Sequence, residues 1–268
     1  MRPISILLLL FYVFVAPTSA QEVTTVAKIP LAADRFVGVD TYKNLYYIKD
    51  MVLHKTGADG NYVFNDFQLG PITSVDLINP LKIVLFYRDT NTVVFVDNRL
   101  NEIERIIFNN LPNFINVGAA TNAGNNRLWI FNMDTQELEL FNYRSFLETV
   151  VSQPFPGSLK GMASNFNYCY TLTDKKIRAF NIYGSLLAEI DAQGYEKIFQ
   201  QNENVYALKE QTLYFVSKLS EDEPVAAFQK ITLPLQEKQV QGLYLTQDFL
   251  YLYDGNHLHT LTLTPPKK

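Results

Sequence analysis

The chain has 268 residues, a formal net charge of −4, 47% hydrophobic residues and 19% charged ones. A faintly acidic chain without Lys/Arg clusters excludes a nucleic-acid-binding stripe and offers nothing to pull it toward anionic membranes. Its single cysteine, Cys169, excludes an intramolecular disulfide, and 12 glycines and 12 prolines are too few for a low-complexity chain, so stability must come from a packed core.

Taken in chain order, the first element is a leader. Arg2 precedes the apolar run Ile4 to Val15, broken only by Ser5, and Pro17-Thr18-Ser19-Ala20 supplies small residues before Gln21. This is the pattern of a secretory signal peptide over residues 1–20 with cleavage after Ala20. An apolar core of about twelve residues falls short of the ~20 that span a bilayer. No cysteine lies near the cleavage point. The expectation is therefore an exported protein, periplasmic or outer-membrane associated, with no membrane span and no lipid anchor.

Residues 21–268 read as one β domain built from a repeat. Six apolar strands, each followed by an acidic or polar turn, begin at Leu45, Ile83, Leu128, Tyr168, Val205 and Leu250, at intervals of 37 to 45 residues. Such a period is that of four-stranded propeller blades. The stretch Thr73 to Ile107 holds the fullest copy. Lys82 to Arg88 and Thr92 to Val96 are apolar on both alternating faces, as strands covered on both sides are, whereas Glu102 to Ile107 alternates like an edge strand half in water. On this reading Leu85, Phe86, Val94 and Phe95 are core residues facing two neighbouring blades. Before each landmark runs a short segment rich in small residues, such as Phe36-Val37-Gly38-Val39-Asp40, Ile115-Asn116-Val117-Gly118 or Lys160-Gly161-Met162-Ala163. These are the expected innermost strands, where a crowded axis favours small side chains. The sixth copy runs out after its third strand, His257 to Leu263, and Val23 to Ile29 is left to complete it. The expected fold is all-β: a six-bladed β-propeller of four-stranded antiparallel blades, closed by the N-terminal strand.

The chemistry-bearing residues are sparse. Asp40 and Asp76 stand at the ends of the first two innermost strands, and Asn79 follows in a loop on the same rim; these three are the candidate binding residues at one end of the channel. Both aspartates serve equally well as turn caps. His257 and His259, two apart on one strand, share a face and could share a metal with His54, but zinc needs a third and usually a fourth ligand, and cross-strand pairing accounts for them as well. Neither a G-x-S-x-G elbow nor a calcium loop nor a phosphate-cradling glycine loop is present, and Cys169 sits in an apolar strand as a buried thiol would. No cofactor, catalytic residue or metal site is expected. The acids that close the middle strands, Asp50, Asp89, Asp134, Asp174, Glu210 and Asp254, are expected to support the hairpin turns that follow.

The run Thr73-Ser74-Val75-Asp76, Asn79 to Asp89, then Val94 to Asn98 and Leu100 to Ile103 resembles a block of exported β-propeller proteins of Bacteroidota, a family of mostly unassigned function. The resemblance spans about one blade of six. It implies a compact propeller of the cell envelope without an established catalytic site, and by analogy a periplasmic partner or plug of the type 9 secretion translocon. The expected function is a non-catalytic interaction scaffold with a protein partner, such as an outer-membrane or secretion complex. Two alternatives predict different features. A propeller enzyme (lactonase, lyase or glycan hydrolase) needs convergent acids, histidines or amides at one channel end, and a carbohydrate-binding module needs exposed aromatics at one rim, with Tyr42, Tyr143 and Tyr183 as candidates.

Overall fold

The structure, a computed structural model, describes residues 23–216, 229–231, 233 and 240–263; the expected leader lies outside these residues. Strand β1 (Val23–Pro30) belongs to the last sheet. Blade one is β2 (Arg35–Val39), β3 (Leu45–Lys49), β4 (Val52–Gly57) and β5 (Gly60–Phe64); blade two is β6 (Ser74–Asp76), β7 (Ile83–Tyr87), β8 (Thr92–Val96) and β9 (Glu102–Ile107). Blade three follows as β10 (Val117–Gly124), β11 (Arg127–Asn132), β12 (Glu137–Asn142) and β13 (Leu147–Val150), and blade four as β14 (Leu159–Ser164), β15 (Tyr168–Thr173), β16 (Lys176–Asn181) and β17 (Leu186–Asp191). Blade five is β18 (Lys197–Gln201), β19 (Asn204–Lys209), β20 (Thr212–Val216) and β21 (Gln229–Ile231); blade six is β22 (Gly242–Leu245), β23 (Phe249–Tyr253) and β24 (His257–Leu263), with β1 outermost. The fold is a six-bladed β-propeller of four-stranded antiparallel blades.

The core lies between blades. Leu85 and Val94 of blade two pack with Tyr46, Ile48 and Leu53 of blade one, whereas Phe86 and Phe95 face Leu128, Ile130 and Phe141 of blade three. Successive residues of one strand point to opposite faces, so an unbroken apolar run is what a doubly covered blade requires.

Three hairpins share one turn. The Oδ1 of Asp40, Asp97 and Asn181 accepts the N–H groups two and four residues on, those of Tyr42 and Asn44, Arg99 and Asn101, and Tyr183 and Ser185. The chain reverses through a left-handed residue in each: Lys43 (φ 66°), Leu100 (φ 60°) and Gly184 (φ 89°). An Asp or Asn side chain replaces the backbone acceptor that such a turn lacks, which offsets the strain of positive φ at Lys43 and Leu100.

Closure is as the sequence suggests. β1 pairs with β24 from Val23↔Leu263 to Pro30↔His257. A clamp secures the chain where it leaves this sheet: the buried Tyr253 hydroxyl lies 3.2 Å from Leu31 O, 2.7 Å from Ala33 O and 2.8 Å from Gly255 O, and accepts the Ala33 N–H at 3.3 Å. Tyr253→Phe is expected to cost about 1–3 kcal/mol. In a domain of this size that lowers Tm by about 2–4 °C per kcal/mol, read by thermal circular dichroism; an unchanged Tm would show that the clamp does not hold the closing strand.

Candidate functional site

The candidate residues at the channel end occupy two levels. Asp76 is the last residue of β6 and pairs across with Val84, while in blade one the matching partner of β3, Tyr46, lies opposite Gly38. Asp40 therefore stands two residues beyond the position of Asp76, in the turn that follows β2. The two aspartates look equivalent in sequence because each ends an innermost strand, but the turn of blade one is shorter than the loop 77–82 of blade two.

Asp40 is buried and fully engaged. Besides the N–H groups of its own turn, its carboxylate accepts from Asn44 Nδ2 at 2.9 and 3.2 Å and from the Tyr46 hydroxyl at 2.9 Å. Burial, and then the Asp40 charge, push the Tyr46 phenol above its ordinary value, so this hydroxyl stays a donor. Asn79 is also a turn residue: its Oδ1 accepts the Leu81 N–H at 3.1 Å and its backbone carbonyl accepts the Lys82 N–H at 2.9 Å.

Asp76 does something different. One oxygen accepts the Ile78 N–H at 2.9 Å, and the other reaches into blade three to accept the Asn122 N–H at 2.7 Å. From there a polar collar continues around the axis. Ser164 of blade four donates to Thr121 Oγ1 of blade three at 2.7 Å, and Gln200 Nε2 of blade five donates to Ser164 O at 2.9 Å. Tyr244 of blade six meets the other side of the ring, its aromatic ring lying over Gly38; a Cβ there would stand 2.5 Å from Tyr244 Cδ2, so the close approach requires glycine. Burial, and then the charges of Asp76 and Asp40, hold the Tyr244 phenol above its usual range. The collar thus joins neighbouring blades at the end of the channel where the candidate residues lie.

Burial pushes the Asp76 carboxyl above the usual carboxylate range, with the Asn122 and Ile78 N–H groups pulling partly back. A carboxyl raised in the folded state binds its proton more tightly there than in the unfolded chain. The stability it contributes is present at low pH and lost as pH rises from the unfolded value through the raised folded one. Asp76→Asn is expected to flatten that fall, as read from denaturant melts between about pH 3 and pH 7. Glu139, also raised by burial, acts in the same direction, whereas Asp97 and Glu189, held below the usual range by hydrogen bonds and nearby charges despite their burial, act against it; an unchanged slope in the variant would show that Asp76 does not contribute to the fall.

The acids at the ends of the middle strands do not behave as one set of turn supports. Asp254 does, accepting the Asn256 and His257 N–H groups at 2.9 and 2.7 Å. Asp134 and Asp174 instead tie the far end of the second strand to the segment entering the innermost one, accepting from Asn116 Nδ2 at 2.8 Å and from the Ser158 N–H at 2.9 Å. Blades one, two and five make the same tie in reverse, the Asp50, Arg88 and Glu210 N–H groups donating to Asp34, Thr73 and Glu196 side chains.

The three histidines do not meet at one point: His257 and His259 face Asp254, and His54 stands apart. His259 Nε2 lies 2.9 Å from the buried Asp254 carboxylate and His257 Nδ1 lies 3.7 Å from it, while His54 stacks on Tyr47 at 4.9 Å. Among the described residues no group of three or more His, Cys, Asp or Glu is placed to hold a metal ion. Cys169 is buried and its thiol is pushed well up by burial. Of the three candidate carbohydrate-stacking tyrosines, Tyr143 is buried against Phe95 and cannot offer a face to a sugar, whereas Tyr42 and Tyr183 are exposed but belong to turns of blades one and four.

No family model and no curated protein matches this chain. Solved structures do. Virginiamycin B lyase from Staphylococcus aureus, in a catalytically inactive form with quinupristin, is 11% identical over 91% of this chain and 100% of that chain, with a TM-score of 0.62. The likeness is one of fold. PorZ, an essential bacterial surface component of the type-IX secretion system of Porphyromonas gingivalis, is 14% identical over 87% of this chain and 32% of that chain (TM-score 0.51), and BamB from Moraxella catarrhalis is 11% identical over 92% and 99% (TM-score 0.51). A lyase and a secretion-system component share this propeller, so the fold does not select between catalysis and interaction.

The sequence did not single out Asn122, Thr121 or Gln200. Blade three explains part of this: its innermost strand is Val117–Gly124 rather than the segment ending at Gly118, so Thr121 and Asn122 fell in what read as a connection.

Proposed function

We propose that this chain is a non-catalytic, exported propeller that presents a rigid surface to a protein partner in the cell envelope, such as an outer-membrane or secretion complex. The observation that carries this reading is where its groups are spent. The carboxylates of Asp40 and Asp76 and the amide of Asn79 accept main-chain N–H groups of their own turns and of a neighbouring blade, while large apolar side chains stand in water, Leu147 of the outermost strand of blade three at 67% and Tyr183 of the β16–β17 turn at 90% exposed. Polar groups committed to the frame and apolar groups committed to the surface suit recognition better than chemistry. The leader-like segment and the resemblance to envelope propellers support the compartment.

The test is affinity purification of the full chain from its native envelope at native expression. A stoichiometric envelope protein retained through washing is the expected result. Recovery of a monomer with tightly bound metal and no partner would overturn the reading.

A further inference from the structure

The outer edge of blade three differs from those of the blades that flank it, and from β5, which also pairs in continuous register without a charged residue but has Phe64 buried and Gly60 and Tyr62 half-buried. The outermost strands β1, β9 and β17 each carry an extra residue that shifts the register, at Val26, Ile103 and Leu187, and such bulges twist an edge away from further pairing. Charged groups reinforce this on β9, with Glu102, Glu104 and Arg105, and on β17, with Glu189 and Asp191. β13 has neither protection in full. It pairs with β12 in continuous register from Asn142↔Leu147 to Glu139↔Val150, all four residues are exposed, and Glu148 is its sole charge. The Val151 N–H donates to Leu138 O at 2.8 Å. Alternation along an antiparallel ladder then turns the N–H and C=O groups of Glu148 and Val150 outward, unpaired.

Beside this edge, between β13 and the β16–β17 hairpin of blade four, lie two recesses of about 260 and 430 Å³ that share Val150, Val151 and Gly184. Phe155, Phe180 and Leu186 line the larger, together with Arg178. The Arg178 side chain is only 8% exposed; its Nε donates to Glu189 Oε2 at 2.7 Å and its guanidinium lies 4.7 Å from the Phe155 ring centre, but its buried Nη1 has no acceptor. Arg127, which lines the smaller recess, likewise has a buried Nε without an acceptor. A buried donor left unmade is costly and marks a place where an acceptor is wanted.

We propose that β13 is a docking edge for an extended, acidic and apolar segment of a partner protein, which adds to blade three as a further strand. This rests on the scaffold reading and gives it a surface. Each requirement on the occupant comes from the site. The free ladder groups need an extended backbone, the recesses need apolar side chains at alternate positions, and the unpaired guanidinium donors are best met by carboxylates.

The test uses the full chain and two synthetic peptides of about ten residues, one alternating valine with glutamate and the other valine with lysine. In fluorescence anisotropy the glutamate peptide is expected to bind at least about tenfold more tightly, the worth of one charge-assisted contact. Amide exchange at Glu148 and Val150 is expected to slow in that complex. Val150→Pro removes an outward N–H without touching the ladder to β12, and Glu148→Pro does so independently should the first variant misfold. Each is expected to weaken binding about tenfold or more. Equal binding of the two peptides, no binding, or binding that survives both proline variants would overturn the proposal. So would a concentration-dependent dimer abolished by Val150→Pro, which assigns the edge to a second copy of the chain. If an envelope partner is found and both proline variants retain it, the edge assignment fails and the scaffold reading stands; a wild-type chain that captures no partner removes the scaffold reading and the proposal with it.

Discussion

Trp129→Ala is expected to lower stability by about 3–5 kcal/mol, the range for emptying a large aromatic site in a packed core. Trp129 is fully buried in β11 and packs with Phe131, Leu138, Leu140, Phe155 and Phe180 across the contact between blades three and four. Its indole Nε1–H donates to Asn165 O of blade four at 3.2 Å. The substitution therefore removes volume, leaves a cavity between two blades that cannot collapse independently, and orphans a carbonyl. Trp129→Phe keeps much of the ring and loses the hydrogen bond, so a smaller loss of about 1–2 kcal/mol is expected. Denaturant unfolding followed by circular dichroism reads both, since the variants lack the single tryptophan. Losses below about 1 kcal/mol for the alanine variant would mean that blades three and four are not cemented by this contact.

The core was legible because it obeys a local rule. A strand covered on both faces must be apolar at every position, and Ile83 to Tyr87 and Thr92 to Val96 are buried throughout. Closure was legible too, because a missing fourth strand at one end and a spare strand at the other, Val23–Pro30, complete each other. The innermost strand of blade three was not. Ile115 and Val117 are apolar and look like a strand, but pairing with β11 sets the ladder, and it runs on through Ala119, Ala120 and Asn122, residues with weak strand preference. The collar is invisible in sequence for a further reason. Asp76 and Asn122 are 46 residues apart, and Gln200 and Ser164 36, and these pairs meet only when consecutive blades stand side by side. Nothing local says that β13 lacks the bulge carried by β1, β9 and β17, since a bulge is a property of pairing.

Asp40→Ala is expected to cost about 3–5 kcal/mol, as much as the tryptophan, although it removes only a few atoms. The carboxylate collects the Tyr42 and Asn44 N–H groups, the Asn44 amide and the Tyr46 hydroxyl, and it is itself buried. Alanine accepts none of these, so the turn loses the acceptor that balances the left-handed Lys43, and the Tyr46 hydroxyl is left in a buried site without its partner. Asp40→Asn keeps one acceptor oxygen, and Asn44 can turn its amide to suit, so a loss of about 1–2 kcal/mol is expected. The ordering alanine well below asparagine, read from urea unfolding, also separates the two roles open to a carboxylate at a channel end. A group held ready for a ligand is under-bonded in the free protein, and its removal leaves stability unchanged or raises it. Asp40 has its acceptor capacity filled by its own blade, so its removal must open the turn. A stable Asp40→Ala variant would return this carboxylate to the list of ligand-binding groups and would take away one support of the scaffold reading.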